Sequence, residues 1–453
     1  MSEPNTHNSL PLSTAFPLAG AVSEVEAEEL TAALGSDNDG RGLPRVSGRW
    51  ILLLVLAVFG AYIAFVTPIA ISLAIRVKDL APDNEEYLGF ILGAGSVAAL
   101  IFGPLGGQLS DRTRTRWGRR RPWLIGGTLL GLVALATMGT APSILVLGIG
   151  WIIAQIGFSQ VLNNLTTIQA DQLPEFQRGK VAGLTGFASM AAPVFGAIIG
   201  GTLASQSLLL FLIPGAVALV LVLLFVILVH EDDSRHNTFD QPLTVKTVVS
   251  KYLFNPRRHP DFSWNWLGRF LFYFGLTLNT TYTAFFFASR LGLPVTEVGG
   301  IVAIVGLVGI VGTMGGALAS GFVSDKLQRR KPFVLAGGAL FALGAVIMAF
   351  APDMPFLIAG SFLTNLGIGI FSAVDQALLL DVLPERETDA GRFVSITQFA
   401  TTIPQALAPI VASLILALGT SAAMEKNYPL LYIAGAVFTI LGGLVILRVK
   451  AVR

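Results

Sequence analysis

The chain alternates long apolar runs with short polar joints. Twelve apolar segments run over approximately 50–75, 87–109, 123–140, 143–169, 181–203, 208–229, 264–288, 297–322, 333–351, 355–380, 393–418 and 428–447. Each is close to the ~20 residues that a helix needs to cross a bilayer. Their apolar character is continuous, whereas a membrane strand would alternate. The pattern predicts an all-α membrane protein with twelve transmembrane helices. Two polar stretches interrupt it. Residues 1–46 are irregular, with an acidic patch at Glu24, Glu26, Glu28 and Glu29. They lack the basic, apolar and small-residue succession of a signal peptide and are expected to be a disordered cytoplasmic tail. Residues 231–263 are expected to link two six-helix bundles, 47–230 and 264–453, on the cytoplasmic side.

Charge orients this pattern. With the N-terminus inside, the inner segments carry 25 of the 30 lysines and arginines. The outer loops carry only Arg76, Lys78, Arg290 and Lys426, and Arg269 lies inside the seventh segment. That bias places both termini in the cytoplasm and the protein in the cell membrane as a multi-pass chain. Composition agrees, with 53% hydrophobic and 13% charged residues, against about a quarter charged in soluble proteins. There is no cysteine, which excludes disulfides and thiol chemistry. The four histidines, His7, His230, His236 and His259, lie outside the apolar segments. No metal site and no cofactor is expected.

The joint between the second and third segments is the densest in charge. It reads Gly103-Pro-Leu-Gly-Gly-Gln-Leu-Ser-Asp111-Arg-Thr-Arg-Thr-Arg-Trp-Gly118-Arg-Arg-Arg-Pro122 and contains six arginines. A shortened copy, Gly321-Phe-Val-Ser-Asp325-Lys-Leu-Gln-Arg-Arg-Lys-Pro332, joins the eighth and ninth. Further matches keep a constant offset of 210: Pro122, Pro142, Asp171, Pro174 and Glu175 recur as Pro332, Pro352, Asp381, Pro384 and Glu385. Copies six spans apart share one orientation, so the halves are parallel repeats.

These residues resemble the major facilitator superfamily, whose hallmark is a Gly-x-x-x-Asp-Arg…Gly-Arg-Arg loop between helices two and three. Here it is Gly107-Gln-Leu-Ser-Asp111-Arg112, then Gly118-Arg119-Arg120. The longer spacing and Pro122 look most like the glycoside–pentoside–hexuronide cation symporter and sucrose–proton symporter branches. The chain departs from the first of these in having no acidic residue over 88–109. The resemblance covers about residues 50–447. It implies a secondary active transporter working by alternating access, with helices one, four, seven and ten around a central cavity. It also implies proton-coupled symport of a sugar-like or glycoside solute. Proton-driven export of an amphipathic drug-like compound is the alternative.

Three groups of residues could carry that function. At the cytoplasmic face, Asp111 and Asp171 lie near Arg112, Arg119, Arg120 and Arg178 in sequence, and Asp325 and Asp381 near Arg329, Arg330 and Arg392. An interfacial aspartate is best stabilised by a hydrogen-bonded arginine. Such pairs would form a cytoplasmic gate, or the charges would only fix topology and hold anionic lipid. Six arginines between two spans do not read as a nucleic-acid patch. Inside the spans, Gln155, Ser159 and Asn163 share one face of the fourth segment, with Gln160, Asn164 and Thr167 on an adjacent stripe. Asn365 and Gln376 lie on the tenth, Gln398 on the eleventh, Asn279 and Tyr282 on the seventh, and Tyr62 on the first. These are candidate substrate-binding residues, or they bond helix to helix.

The third group is Asp375, the one carboxylate well inside an apolar span. A carboxylate at membrane depth is costly and reads as functional, here as a proton carrier. Arg269 is its candidate partner for a fixed ion pair. The helices run in opposite directions and place both charges about 7.5 and 9 Å from the cytoplasmic end, at 1.5 Å per residue. A membrane enzyme would need acidic metal-binding clusters, and no Asp-x-x-Asp run exists. A receptor would need a signalling domain that the short linker and tails do not supply. The expected partners are a small-molecule substrate, a proton and the lipid bilayer, with the chain a monomer.

Overall fold

The computed structural model describes residues 44–235, 254–384, 390–418 and 426–450. The expected tail, over 1–43, and most of the linker, over 236–253, lie outside the described residues.

The described residues are helical, without strands. The first bundle begins with α1 (Gly48–Thr67), which passes through one π-turn at Pro68–Ser72 into α2 (Leu73–Leu80). Next come α3 (Tyr87–Asp111), α4 (Arg121–Gly139), α5 (Ile144–Gln172), α6 (Glu175–Thr202) and α7 (Ser207–Leu228). The second bundle holds α8 (Pro260–Thr281), α9 (Thr283–Leu291), α10 (Gly299–Leu327), α11 (Lys331–Ala349), α12 (Met354–Val382), α13 (Ala390–Ala417) and α14 (Tyr428–Ile446). Among the described residues eleven helices, counting α1 and α2 as one, are long and apolar enough to cross a membrane. The seventh segment, expected as one helix over 264–288, is instead α8 and α9, broken at Tyr282.

That break has a local cause. Thr280 and Thr281 turn their hydroxyls back onto the carbonyls of Leu276 and Thr277, at 3.1 and 2.6 Å. Hydroxyls that bond the preceding turn compete with the helix ladder and bend it. The helix starts are ordinary. Ser143 accepts from the amide of Val146, and Asp353, 210 residues later, accepts from that of Phe356 at 3.3 Å. Each side chain satisfies a first-turn donor that the helix cannot.

The repeat is visible in packing. A Cβ on Gly127 would lie 2.7 Å from the carbonyl oxygen of Gly157, so α4 and α5 touch backbone to backbone. Gly337 and Gly367 repeat the approach between α11 and α12 at the same offset, with 3.0 Å for the Gly337 Cβ. Small residues at crossings are how apolar helices gain dispersion contact where lipid gives no hydrophobic drive.

Candidate functional site

The two bundles meet away from the arginine-rich loops. There α3 packs on α13, and α6 packs on α10 with Gly201 against Gly299. Tyr282, at the break between α8 and α9, closes this end. Its hydroxyl accepts from the amide of Gly89 at 3.2 Å, donates to the carbonyl of Glu86 at 3.1 Å and lies 2.9 Å from Ser413 Oγ. Lys426 pairs with Glu86 at 2.9 Å, and the Tyr428 hydroxyl donates to Glu85, which also holds Lys78 at 2.8 Å. Burial pushes the Glu86 carboxyl up, but the bonds from Asn84 and Lys426 outweigh it and leave it below its ordinary value.

From this seal a cavity of about 930 Å³ extends between the bundles toward the arginine-rich end. The first bundle contributes Phe65, Ser96, Gln155, Ser159 and Asn163 to its wall. The second contributes Tyr273, Thr277, Thr280, Gln398, Thr402 and Gln405. Hydroxyls and amides dominate the polar part, and among the described residues no charged side chain lines it. Gln155 is only 3% exposed.

Of the residues expected to bind substrate, Gln155, Ser159, Asn163 and Gln398 line this cavity. The others lie elsewhere. Gln160 donates to the carbonyl of Phe102 at 2.8 Å, and Asn164 accepts from Ser110 at 2.5 Å, so these two residues of the second stripe of α5 bind α3, while Thr167 lines the cavity. Asn365 donates to the carbonyl of Ser361 and accepts from Thr313. Gln376 accepts from Arg269 at 3.1 Å. Asn279 is buried beside Gly435 with no bond to its amide. Tyr62 packs on the apolar core of the first bundle, and Tyr282 belongs to the seal. Four-residue spacing could not say which of two neighbouring stripes faces a cavity. The tenth helix, expected to line the cavity, gives way there to α3 and α13.

The loop charges form two copies of one cluster. Arg120 reaches Asp111 at 2.5 Å, Asp171 at 3.4 Å and Ser110 Oγ at 3.1 Å. Arg119 adds a 2.7 Å pair to Asp171. In the second bundle Arg330 bonds Asp325, Asp381 at 3.5 Å and Ser324 Oγ at 3.1 Å. The Asp325 bond raises Arg330 above its ordinary value, against a smaller effect of burial. Arg178 pairs instead with Glu175 at 3.6 Å, and Arg392 lies 5.6 Å from the ring centre of Phe393. Arg112 lies in the loop just past Asp111, and Arg329 meets Ser324 through its backbone. Sequence reasoning missed Ser110 and Ser324, though each directly precedes its aspartate. It also missed Glu231, whose carboxylate accepts from the amides of Arg119, Arg120 and Arg121 at 2.9, 2.9 and 3.1 Å. Gly118, at φ +92°, leaves room for that carboxylate.

Asp375 is fully buried on α12 and meets Arg269 of α8 at 2.5 Å. Asn265, one turn before Arg269, donates its Nδ2 to the other carboxylate oxygen at 2.8 Å. The Oδ1 of Asn265 is buried without a partner.

A sequence profile of the Major Facilitator Superfamily matches residues 51–320 and 311–453. The chain belongs to the major facilitator superfamily. It is therefore a transporter rather than an enzyme, and a multi-pass integral membrane protein. Among relatives, the general alpha-glucoside permease of Schizosaccharomyces pombe is 30% identical over 122 residues, 24% of this chain and 21% of the permease. The multidrug resistance protein MdtL of Escherichia coli is 34% identical over 99 residues, 22% of this chain and 25% of that protein. The chain thus matches about a quarter or less of these relatives' lengths. The solved nucleoside transporter NupG shares the superfamily fold at a TM-score of 0.71 and 11% identity, covering 88% of this chain and 98% of its own. A D-xylose–proton symporter does so at 0.65 and 17%, covering 89% and 98%.

Proposed function

We propose that this superfamily member is a twelve-span secondary active transporter with both termini cytoplasmic, importing a neutral, sugar-like or glycoside solute together with a proton. The broken α8–α9 pair, added to the eleven apolar helices, supports the count of twelve. The observation that carries the reading is the cavity: amides and hydroxyls from both bundles converge on it, and among the described residues no charge does. A polyhydroxylated neutral solute finds donors and acceptors there and leaves no buried ion unpaired. The similarity to an alpha-glucoside permease and the shared fold of a D-xylose–proton symporter support the same class. Asp375, held by Arg269 beside the cavity wall, is the proposed proton carrier. The two arginine-bridged clusters are the proposed cytoplasmic gate.

A second reading is proton-driven export of an amphipathic compound. The similarity to MdtL and the aromatic wall at Phe65, Tyr273 and Phe399 favour it. Proteoliposomes loaded with sugars, glycosides or cationic drugs, under pH gradients of either sign, separate the two. Uptake of a glycoside driven by an acidic exterior supports import. Expulsion of drugs with no sugar flux refutes it.

A further inference from the structure

The proposed proton site contains two side chains with no evident structural purpose beyond Asp375. The first is Asn265. Its Nδ2 donates to Asp375 Oδ1 at 2.8 Å, while its own Oδ1 is buried and orphaned. A buried acceptor without a partner costs free energy unless another state uses it. The second is Gln376, next to Asp375 on α12, which accepts from Arg269 Nη2 at 3.1 Å while Arg269 Nε holds Asp375.

We infer that Asn265 and Gln376 are positioning residues that let Asp375 exchange its proton within the membrane. The inference rests on the proposed role of Asp375. In the ionised state Asn265 donates to the carboxylate. When a proton arrives on Oδ1, a half-turn of the amide presents the orphaned oxygen, which accepts the new O–H. The O–H···O bond replaces the N–H···O bond, and no group is left facing a like donor. Arg269, having lost its anion, keeps Gln376 as an acceptor. Without Gln376 the buried guanidinium would lose its counter-ion with no second acceptor in place, the costly way to break such a pair.

The surroundings isolate this exchange. From α8 the groups facing Asp375 are Asn265, Arg269 and Tyr273. On α12 the next charge is Asp381, held by Arg330 at the helix end. Lys331 begins α11, and Arg392 lies over Phe393 on α13. Arg448, beyond α14, lies 4.9 Å from the ring centre of Trp264.

The two residues act with opposite sign, which gives the test. Uptake of the transported solute is measured in proteoliposomes against external pH, each variant normalised to its own maximum. Asn265→Leu removes a charge-assisted donor from the carboxylate and only a weaker, neutral acceptor from the protonated acid, so its pH midpoint moves alkaline by about one unit. Gln376→Leu removes the acceptor that the freed Arg269 needs, and its midpoint moves acid by about as much. Asn265→Ser, whose hydroxyl donates and accepts, lies nearer the wild type. A merely structural role lowers the amount of folded carrier without moving midpoints in opposite directions. If only one leucine variant yields folded carrier, the sign of its shift decides. Unmoved midpoints, or shifts of one sign, overturn the inference when Asp375→Asn has lost pH-driven accumulation. Full accumulation by Asp375→Asn overturns the underlying role of Asp375 instead.

Discussion

The two bundles carry the same charge cluster at one end and differ about two turns deeper along their helices. Ser110, Asp111, Arg120 and Asp171 make the contacts that Ser324, Asp325, Arg330 and Asp381 make. Deeper in, Asp375 has Leu165 as its counterpart at the offset of 210, and Leu165 is buried in an apolar core. The spacing from Asp111 to Asp325, carried back from Arg269, lands on Val55. Duplication thus preserved the shared end and left one half with a buried ion pair. The neutral half is the baseline against which that pair can be measured. Its cavity face carries Gln155, Ser159 and Asn163, while Asn365, the counterpart of Gln155, bonds inside its own bundle. Both halves line the cavity, and only the second also holds a buried ion pair among the described residues.

The largest effect should come from unbalancing that pair. Arg269→Ala leaves Asp375 buried without its cation and costs about 3–5 kcal/mol. Thermal unfolding in detergent would show it as a lower midpoint. Replacing both partners, Arg269→Met with Asp375→Leu, makes the second bundle resemble the first and restores stability to within about 1 kcal/mol of wild type. Accumulation driven by pH is lost in the double variant all the same. A double variant as unstable as the single one would mean that the pair is not a self-contained unit.

A smaller effect separates the two loop clusters. The Arg120 side chain is 4% exposed and that of Arg330 is 17%. Glu231 also clamps the amides around Arg120. Arg120→Ala is expected to cost about 2–3 kcal/mol and Arg330→Ala about 1 kcal/mol, since screening weakens the more exposed cluster. Substrate turnover should fall in the same order. Equal losses would show that the clamp and the burial contribute nothing. Asp111→Asn should lower turnover while leaving substrate binding measurable in a binding assay.

What was legible in the sequence follows from what each signal encodes. Long apolar runs encode a helix, so element existence and order could be read, and the offset of 210 encoded the pairing of α4 with α11 and α5 with α12. The break at Tyr282 was not legible, because threonines bonding the preceding turn leave no mark on hydropathy. The pairing of Asp375 with Arg269 could be anticipated, since two opposite charges at one depth have few other partners. The split of the α5 stripes could not. Gln155 and Gln160 are equally polar, and only the approach of α3, with Gly106 leaving space for Gln160, turns one inward and one sideways. Glu231 was invisible for another reason: its partners are backbone amides, which every residue has.

The smallest expected effect concerns the opposite end, where the bundles touch each other rather than repeat each other. Glu86 stands just before α3 in the first bundle and bonds Lys426, which stands just before α14 in the second. Because those bonds hold the Glu86 carboxyl below its ordinary value of 4.5, the contact is favoured by ionisation. Its contribution is fully present above that value and disappears as pH falls through the lower folded value. Spin labels placed on the two bundles at this end should report one distance at neutral pH and a growing longer population below about pH 4.5. Glu86→Gln removes the charge and should show the longer population at every pH, with the acid transition flattened. The effect stays small, since both side chains of the pair remain about one-fifth exposed and a partly solvated pair contributes about 1 kcal/mol. Tyr282 adds neutral hydrogen bonds to the seal that acid does not break. Tyr282→Phe should therefore open this end by a similar amount at all pH values and leave the acid transition in place. An acid transition that disappears with Tyr282→Phe and survives Glu86→Gln would transfer control of this end from the ion pair to the tyrosine.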